Sequence, residues 1–297
     1  MADPKTNFGF ELFLLAVLAV LWGSSYFFMK IAVETIPPFS LIAIRVTGAS
    51  VLLLLVLFWQ KEKLPREVRT WGHLLVQSFL NAIGAWTLLA WGQQYIDSGL
   101  AGVLNSTSPL FVFFISLCLG RLENISWLKL IGATLGLVGV VLIVGVDVLA
   151  GLGQQVLAQL AALAGAILYA FAALNGRRFS GLAPVVTATC TVLWGTVFLV
   201  PAALLLEQPW ALTPSTESLL AAAAMTLFST VFAFLIYFRL IKTLGSLGTA
   251  SQAFLRAGVS VLLGVIILGE TLTPMVAVGV SLAILGVIAI NFPKRKA

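Results

Sequence analysis

Residues 39–59 read FSLIAIRVTGASVLLLLVLFW, an apolar run of 21 residues with one charge in it, Arg45. A helix rises 1.5 Å per residue and the hydrocarbon of a bilayer is ~30 Å thick, so roughly 20 such residues cross it. The run has no period of two, which argues against a barrel strand. Working outward, nine further stretches share its character: 12–32, 72–92, 100–119, 127–147, 156–175, 184–206, 218–239, 249–268 and 273–292. Short breaks carrying Pro, Gly or charge part them, such as Pro37-Pro38, Asp97-Ser98-Gly99 and Thr213-Pro214.

Composition agrees. Of 297 residues 60% are hydrophobic and 9% charged, and the mean hydropathy is +1.08. A soluble domain carries ~25% charged residues, so a water-soluble globule is excluded. Disorder is excluded by the hydrophobicity. The expected fold is an all-α polytopic membrane protein of ten transmembrane helices. The first stretch lacks a small-residue cleavage site after a short apolar region, so it reads as a span that stays. Cys118 and Cys190 lie inside spans and imply neither a disulfide framework nor a metal site. His73 reads as a solvated interfacial side chain, with a proton relay as the alternative.

Orientation follows from the basic residues. One face would carry Lys5; Lys61, Lys63, Arg66 and Arg69; Arg121 and Lys129; Arg177 and Arg178; Arg239 and Lys242; and Lys294, Arg295 and Lys296. These are 14 of the 17 Lys and Arg residues. The opposite face carries Lys30, and Arg45 and Arg256 lie inside spans. Basic residues stay in the cytoplasm, so both termini are expected there. The same asymmetry explains the net charge of +6. Charges spread over six short segments do not make a nucleic-acid surface.

An internal repeat emerges at an offset of 147 residues. Trp22 meets Tyr169, Lys30 meets Arg177, Pro37 meets Pro184, Gly48 meets Gly195 and Asn105 meets Gln252. Glu123, Gly132 and Gly139 meet Glu270, Gly279 and Gly286, the same residue types at the same spacing. The expected organisation is residues 1–147, an external connection at 148–155, and residues 156–297. Five spans per unit is odd, so the second unit enters the membrane inverted relative to the first. Secondary transporters use this arrangement, with a midplane substrate site between the halves and access alternating as they rock.

The run Trp22-Gly23-Ser24-Ser25 with Lys30, Pro37-Pro38 and Arg45 resembles the first-repeat signature of the drug/metabolite transporter superfamily, in its ten-span EamA-type branch. Pro109, Glu123, Gly132 and Gly139, echoed by Gly269-Glu270, Gly279 and Gly286, resemble the second. The resemblance spans essentially the whole chain, and within the branch it is nearest to YddG-type bacterial amino-acid exporters. It implies a cavity built by the first, third, fourth, sixth, eighth and ninth spans. Where the second repeat of the family carries Pro, this chain has Arg256.

Ionisable groups inside the bilayer are functional candidates by default. Arg256 lies ~10 Å into its span. Two readings of it stand open: a two-pronged grip on a substrate carboxylate, or satisfaction of carbonyls freed around Pro109. Arg45 is read as structural, pairing with a carbonyl or snorkelling outward. Trp59, Trp71, Trp127 and Trp210 sit at span ends as interfacial anchors. Trp22, Tyr26, Trp86 and Tyr169 lie deeper on cavity helices and are candidate substrate contacts, favoured over Trp194. Asn105, Ser108 and Gln252 are the candidate polar contacts, and Pro109 the helix kink. Gly132, Gly136, Gly139, Gly279 and Gly286 read as helix-packing positions.

These readings point to a secondary transporter in a bacterial inner membrane, exporting neutral and aromatic amino acids without ATP. No phosphate-cradling loop, cofactor or metal site and no nucleophile–base pair is evident, so an enzyme is not expected. The expected partners are a small solute and membrane lipids, not nucleic acid, with a monomer left open as the state of assembly. The alternatives are a proton-coupled drug or lipophilic-cation exporter, using Glu11 or His73, and a nucleotide-sugar or sugar-phosphate carrier.

Overall fold

The computed structural model describes residues 8–96, 98–120, 126–144, 149, 152–256, 259 and 274–292. Among them every regular element is helical. We number the helices α1 (Phe8–Ala32), α2 (Pro38–Trp59), α3 (Val68–Gly92), α4 (Ser98–Asn105 continuing as Ser108–Cys118), α5 (Trp127–Val144), α6 (Val156–Gly176), α7 (Pro184–Leu206), α8 (Thr216–Thr243), α9 (Gly245–Ala250, resuming at 252–256) and α10 (Pro274–Asn291). Eight of the described helices are long and apolar enough to cross a membrane, and Trp127–Ile143 is a shorter apolar helix. The expected spans other than the ninth fall on these helices, with α1, α3 and α8 longer than expected. Most of the ninth expected span lies outside the described residues. So do Lys5, Asp97, Arg121, Glu123, Asp147, Gly269, Glu270, Lys294, Arg295 and Lys296.

The chain punctuates its helices with Pro and side-chain caps. Pro38 and Pro184 occupy the first positions of α2 and α7, where a missing N–H costs nothing. The Glu207 carboxylate, after α7, accepts from the N–H groups of Phe39 and Ser40 at 3.0 and 2.6 Å, opposite the positive pole of α2. Ser215 caps α8 by accepting from Ser218 N. Outward faces are apolar: Phe27, Val51, Leu55, Phe58 and Leu205 are all more than half exposed. Lipid is the solvent that suits them. Trp59, Trp127 and Trp210 are exposed at helix ends.

Packing follows the 147-residue offset. The α2–α7 and α5–α10 pairs each join counterparts, while α1–α8 and α3–α6 exchange with one another under the offset. Both self-related pairs are antiparallel. Val46, Ser50 and Leu53 of α2 meet Gly195, Thr196 and Thr189 of α7. In the other pair Gly132 rests on Gly286 and Gly139 on Gly279. A Cβ at either first glycine would come within 2.8 or 2.6 Å of the facing carbonyl oxygen. Only glycine allows backbones that close.

Helix irregularities recur as well. α3 carries a π turn at Phe79–Ile83 and α8 carries one at Leu227–Phe232, close to the same offset. α4 breaks at Ser106-Thr107, just before Pro109, and α9 breaks at Ser251. The Ser106 hydroxyl reaches the carbonyls of Gly102 (2.8 Å) and Ala253 (3.2 Å), re-satisfying backbone at one break while joining the other.

Candidate functional site

The π turn in α8 is where the site begins. An extra residue in a helical turn withdraws carbonyls from the ladder and leaves them for other donors. Ser229 O accepts from Trp22 Nε1 at 2.9 Å and from Arg45 Nη2 at 3.0 Å. Arg45 Nε donates to Thr230 Oγ1 at 2.6 Å, and that hydroxyl donates to Met225 O. One irregular turn thus anchors a tryptophan of α1 and an arginine of α2. Arg45 is 2% exposed, and its guanidinium lies 3.8 Å over the Trp86 ring. Stacking of a desolvated guanidinium on an indole is worth ~2 kcal/mol or more, which helps hold a charge so deep.

Arg256 arrives from the opposite half. Its Nε donates to Gln252 Oε1 at 2.7 Å, one helical turn earlier, and its Nη1 donates to the Tyr26 hydroxyl at 3.0 Å. Asn105 Nδ2 donates to that same hydroxyl. The Arg256 guanidinium stands 5.2 Å from the Trp22 ring centroid and 5.8 Å from that of Tyr26.

The two arginines share a cavity of about 330 Å³, counting its open mouth. Its aromatic walls are Trp22, Tyr26, Trp86 and Tyr169, and among the described residues no acidic side chain lines it. Trp22 and Tyr169 face each other, while Phe234 and Tyr237 back the tryptophans from α8. Such a space offers cationic donors at its polar end and flat apolar faces elsewhere. Its chemistry suits a carboxylate at the guanidinium end and an apolar or flat group against the rings.

The family comparison fits this architecture: residues 9–145 and 156–292 each match the EamA-like transporter family, two copies that begin and end 147 residues apart. The chain belongs to the EamA-like transporter family. It is a multi-pass membrane protein of a transporter family. Among similar proteins is the "Uncharacterized inner membrane transporter YedA" of Escherichia coli (strain K12), 29% identical over 94% of this chain and 90% of that one. Another is the "Uncharacterized transporter YoaV" of Bacillus subtilis (strain 168), 28% identical over 95% and 98%. A protein of known crystal structure shares the fold with a TM-score of 0.77 at 19% identity, over 95% of this chain and 96% of that one.

Within this EamA-like chain the expected site residues divide into three groups. Trp22, Tyr26, Trp86, Tyr169 and Arg256 line the cavity together. Asn105 and Gln252 stand one bond behind, bracing Tyr26 and Arg256. Ser108 is buried at the head of the second α4 segment and is not among the lining residues. Trp194, disfavoured from sequence, donates to Trp71 O away from the cavity. Arg45 does pair with a carbonyl, as read from sequence, yet it also lines the cavity, so α2 joins the cavity helices. Ser25, part of the signature run, and Met29 also line the cavity without being expected there, although with Trp22 and Tyr26 they follow the i, i+3, i+4, i+7 spacing of one helix face.

Proposed function

We propose that this protein exports small carboxylate-bearing metabolites, foremost neutral and aromatic amino acids, from the cytoplasm across a bacterial inner membrane. Transport proceeds by alternating access between two inverted five-helix repeats forming ten spans, with both termini cytoplasmic and no ATP hydrolysis. The observation that carries this reading is the meeting of Arg45 from one half and Arg256 from the other in a single aromatic-walled cavity. Guanidinium groups grip a carboxylate with paired donors, and indole and phenol faces accept the side chain. A lipophilic cation would meet two like charges there. A nucleotide sugar or sugar phosphate would ask for more cations at depth than these two.

The antiparallel α2–α7 and α5–α10 pairs, together with the repeated π turns, support the inverted repeat. The grouping of Lys61, Arg66 and Arg177 at one end supports the orientation. Counterflow into proteoliposomes preloaded with unlabelled phenylalanine tests the substrate. Labelled phenylalanine should accumulate transiently, and leucine and tryptophan should compete. Failure of every neutral amino acid, with accumulation of a lipophilic cation or a sugar phosphate, overturns the assignment.

A further inference from the structure

The lining of the central cavity runs one way. From the rings of Trp22, Trp86 and Tyr169 it extends along α1 and α3 to Met29 and Leu89, towards the proposed external side. On the other side packed rings follow. Tyr237 stands 5.1 Å from Trp22, Phe234 stands 5.2 Å from Trp86, and Phe238 stands 5.4 Å from Phe234. Alternating access needs a second path beyond these rings, on the cytoplasmic side.

The contact between α3 and α6 carries polar groups there. At its deeper end Leu168 meets Gly84, where a Cβ would come 2.8 Å from the leucine Cδ1. Nearer the cytoplasmic ends Asn175 Nδ2 donates to Gln77 Oε1 at 2.9 Å. Asn81 lies between these contacts on α3, and Ala172 lies between them on α6. Gln77, Ser78, Asn81 and Ala172 are wholly buried. Yet neither end of the Asn81 amide has a hydrogen-bond partner among the described residues, nor has Gln77 Nε2 or Ser78 Oγ. A buried polar atom left unpaired costs more than its bond would contribute, so its retention calls for a ligand or another state that satisfies it. The repeat does not impose these amides. At the 147-residue offset Gln77, Asn81 and Asn175 correspond to Ala224, Phe228 and Phe28. Asn81 and Gln77 precede Trp86 by five and nine residues, which places them ~7–14 Å to the cytoplasmic side of the cavity.

We infer that Gln77, Asn81 and Asn175 are a second solute site on the cytoplasmic path, shut in this structure, whose amides take the charged ends of a zwitterion when α3 and α6 part. Gln77 Nε2 and the Asn81 amide nitrogen are donors for a carboxylate, and the Asn81 amide oxygen is an acceptor for an ammonium group. The packed α3–α6 contact hides these atoms here. In the opposite state water and solute reach them, so the unpaired groups favour opening. The inference rests on the export reading above and adds to it a second binding place and the residues that line the route.

Two arms test it. In the first, Ala172→Cys is made in a Cys118→Ala background, which removes the exposed native thiol. An impermeant thiosulfonate reagent is applied to either face of oriented vesicles, with the background protein as blank. The new thiol should react severalfold faster from the cytoplasmic face than from the external one. Asn81→Leu is close in shape and gives up no formed bond, so it should melt no lower than the parent. It should nonetheless slow the cytoplasmic reaction severalfold, because an apolar path opens less readily. Asn81→Ser keeps a donor and an acceptor and should slow it less, which guards against a leucine variant that folds badly. In the second arm phenylalanine and 3-phenylpropionate, which lacks the ammonium group, compete for phenylalanine counterflow. The advantage of phenylalanine should narrow severalfold in Asn81→Leu. No cytoplasmic reaction at Ala172→Cys, or a rate that Asn81→Leu leaves unchanged, overturns the second site. An advantage of phenylalanine that Asn81→Leu leaves intact overturns its zwitterion chemistry. Absence of phenylalanine transport by the unsubstituted protein overturns the export reading instead, and the labelling arm still decides whether these amides line a cytoplasmic path.

Discussion

Trp22 and Tyr169 stand 147 positions apart in the chain and face one another across the central cavity, their ring centroids 6.5 Å apart. Ser106 and Ala253, also 147 apart, share a hydrogen bond. Under a two-fold exchange of halves, counterparts touch only near the axis, so both contacts place the cavity beside it. The proposed inversion would fix which connections share a compartment. Cysteines at Lys61 and Ser180 should label from the cytoplasm, and cysteines at Thr35 and Gln208 from outside, with an impermeant maleimide in oriented cells. Lys61 and Gln208 labelling from one side would dismiss the inverted arrangement.

Arg256 separates substrate classes. It touches Tyr26 and Gln252 and stands over two aromatic rings. Arg256→Ala should cut amino-acid counterflow by roughly tenfold or more, the value of one charge-assisted hydrogen bond. A lipophilic cation, which two guanidinium groups repel in the parent, should bind better once one of those charges is gone. No gain in cation binding beside the loss of amino-acid counterflow would make the arginine a structural group, and tetraphenylphosphonium binding measured beside phenylalanine counterflow tells the two apart.

Arg45 should matter more for binding than for stability. Replacing such a charge by an apolar side chain of similar volume is often neutral for stability. Arg45→Met is therefore expected to melt within a few degrees of the parent, because Trp22 continues to donate to Ser229 O. Phenylalanine affinity should nonetheless fall about tenfold or more. Arg45→Lys should not restore it, since an ammonium lacks the planar fork that lies over Trp86 while bonding the α8 turn. Thermal melts read beside equilibrium binding separate these effects, and full activity in Arg45→Lys would contradict the argument.

Much of this architecture was legible in the chain because membrane helices announce themselves by length and hydropathy, and the lipid leaves few alternatives to a helix. The offset of 147 was legible through Gly132, Gly139, Gly279 and Gly286, since close backbone contact tolerates no other residue there. Trp22, Tyr26, Trp86, Tyr169 and Arg256 were legible as polar or aromatic groups too deep to be anchors. The second role of Arg45 was not. It depends on a π turn in α8, and nothing in Leu227–Phe232 signals an extra residue per turn. Asn105 and Gln252 were placed at the right depth, but their one-bond retreat from the cavity is set by rotamers that spacing does not specify.

Glycine substitutions should give opposite signs at two positions. Gly139→Ala puts a methyl group 2.6 Å from Gly279 O and Ala283 N, with backbone on both sides that has nowhere to go. Overpacking of this kind costs ~1–3 kcal/mol, so the melting temperature should drop by several degrees. Gly72→Ala, with open space around it, should hold or raise stability by the helix propensity gained. Fluorescence-detected melts of both variants check the pair, and an unchanged Gly139→Ala would refute the close α5–α10 contact.

Energy coupling is the last expectation. Glu11 is 1% exposed and accepts from Arg239 Nη2 at 2.7 Å and Thr243 Oγ1 at 2.8 Å, the one ion pair among the described residues. It joins the start of α1 to the end of α8, four turns away from Tyr26, and among the described residues no carboxylate or histidine lines the central cavity. A proton carried with each cycle needs a group that meets both the substrate pathway and water in turn. The saturated pairing of Glu11 instead fastens two helices. Phenylalanine flux in proteoliposomes should therefore ignore an imposed pH gradient once the membrane potential is clamped. Glu11→Gln should lower the melting temperature, because it removes the charge facing Arg239, without changing that insensitivity. A flux that rises with the gradient in the parent and not in Glu11→Gln would establish proton antiport through this carboxylate and reject facilitated export.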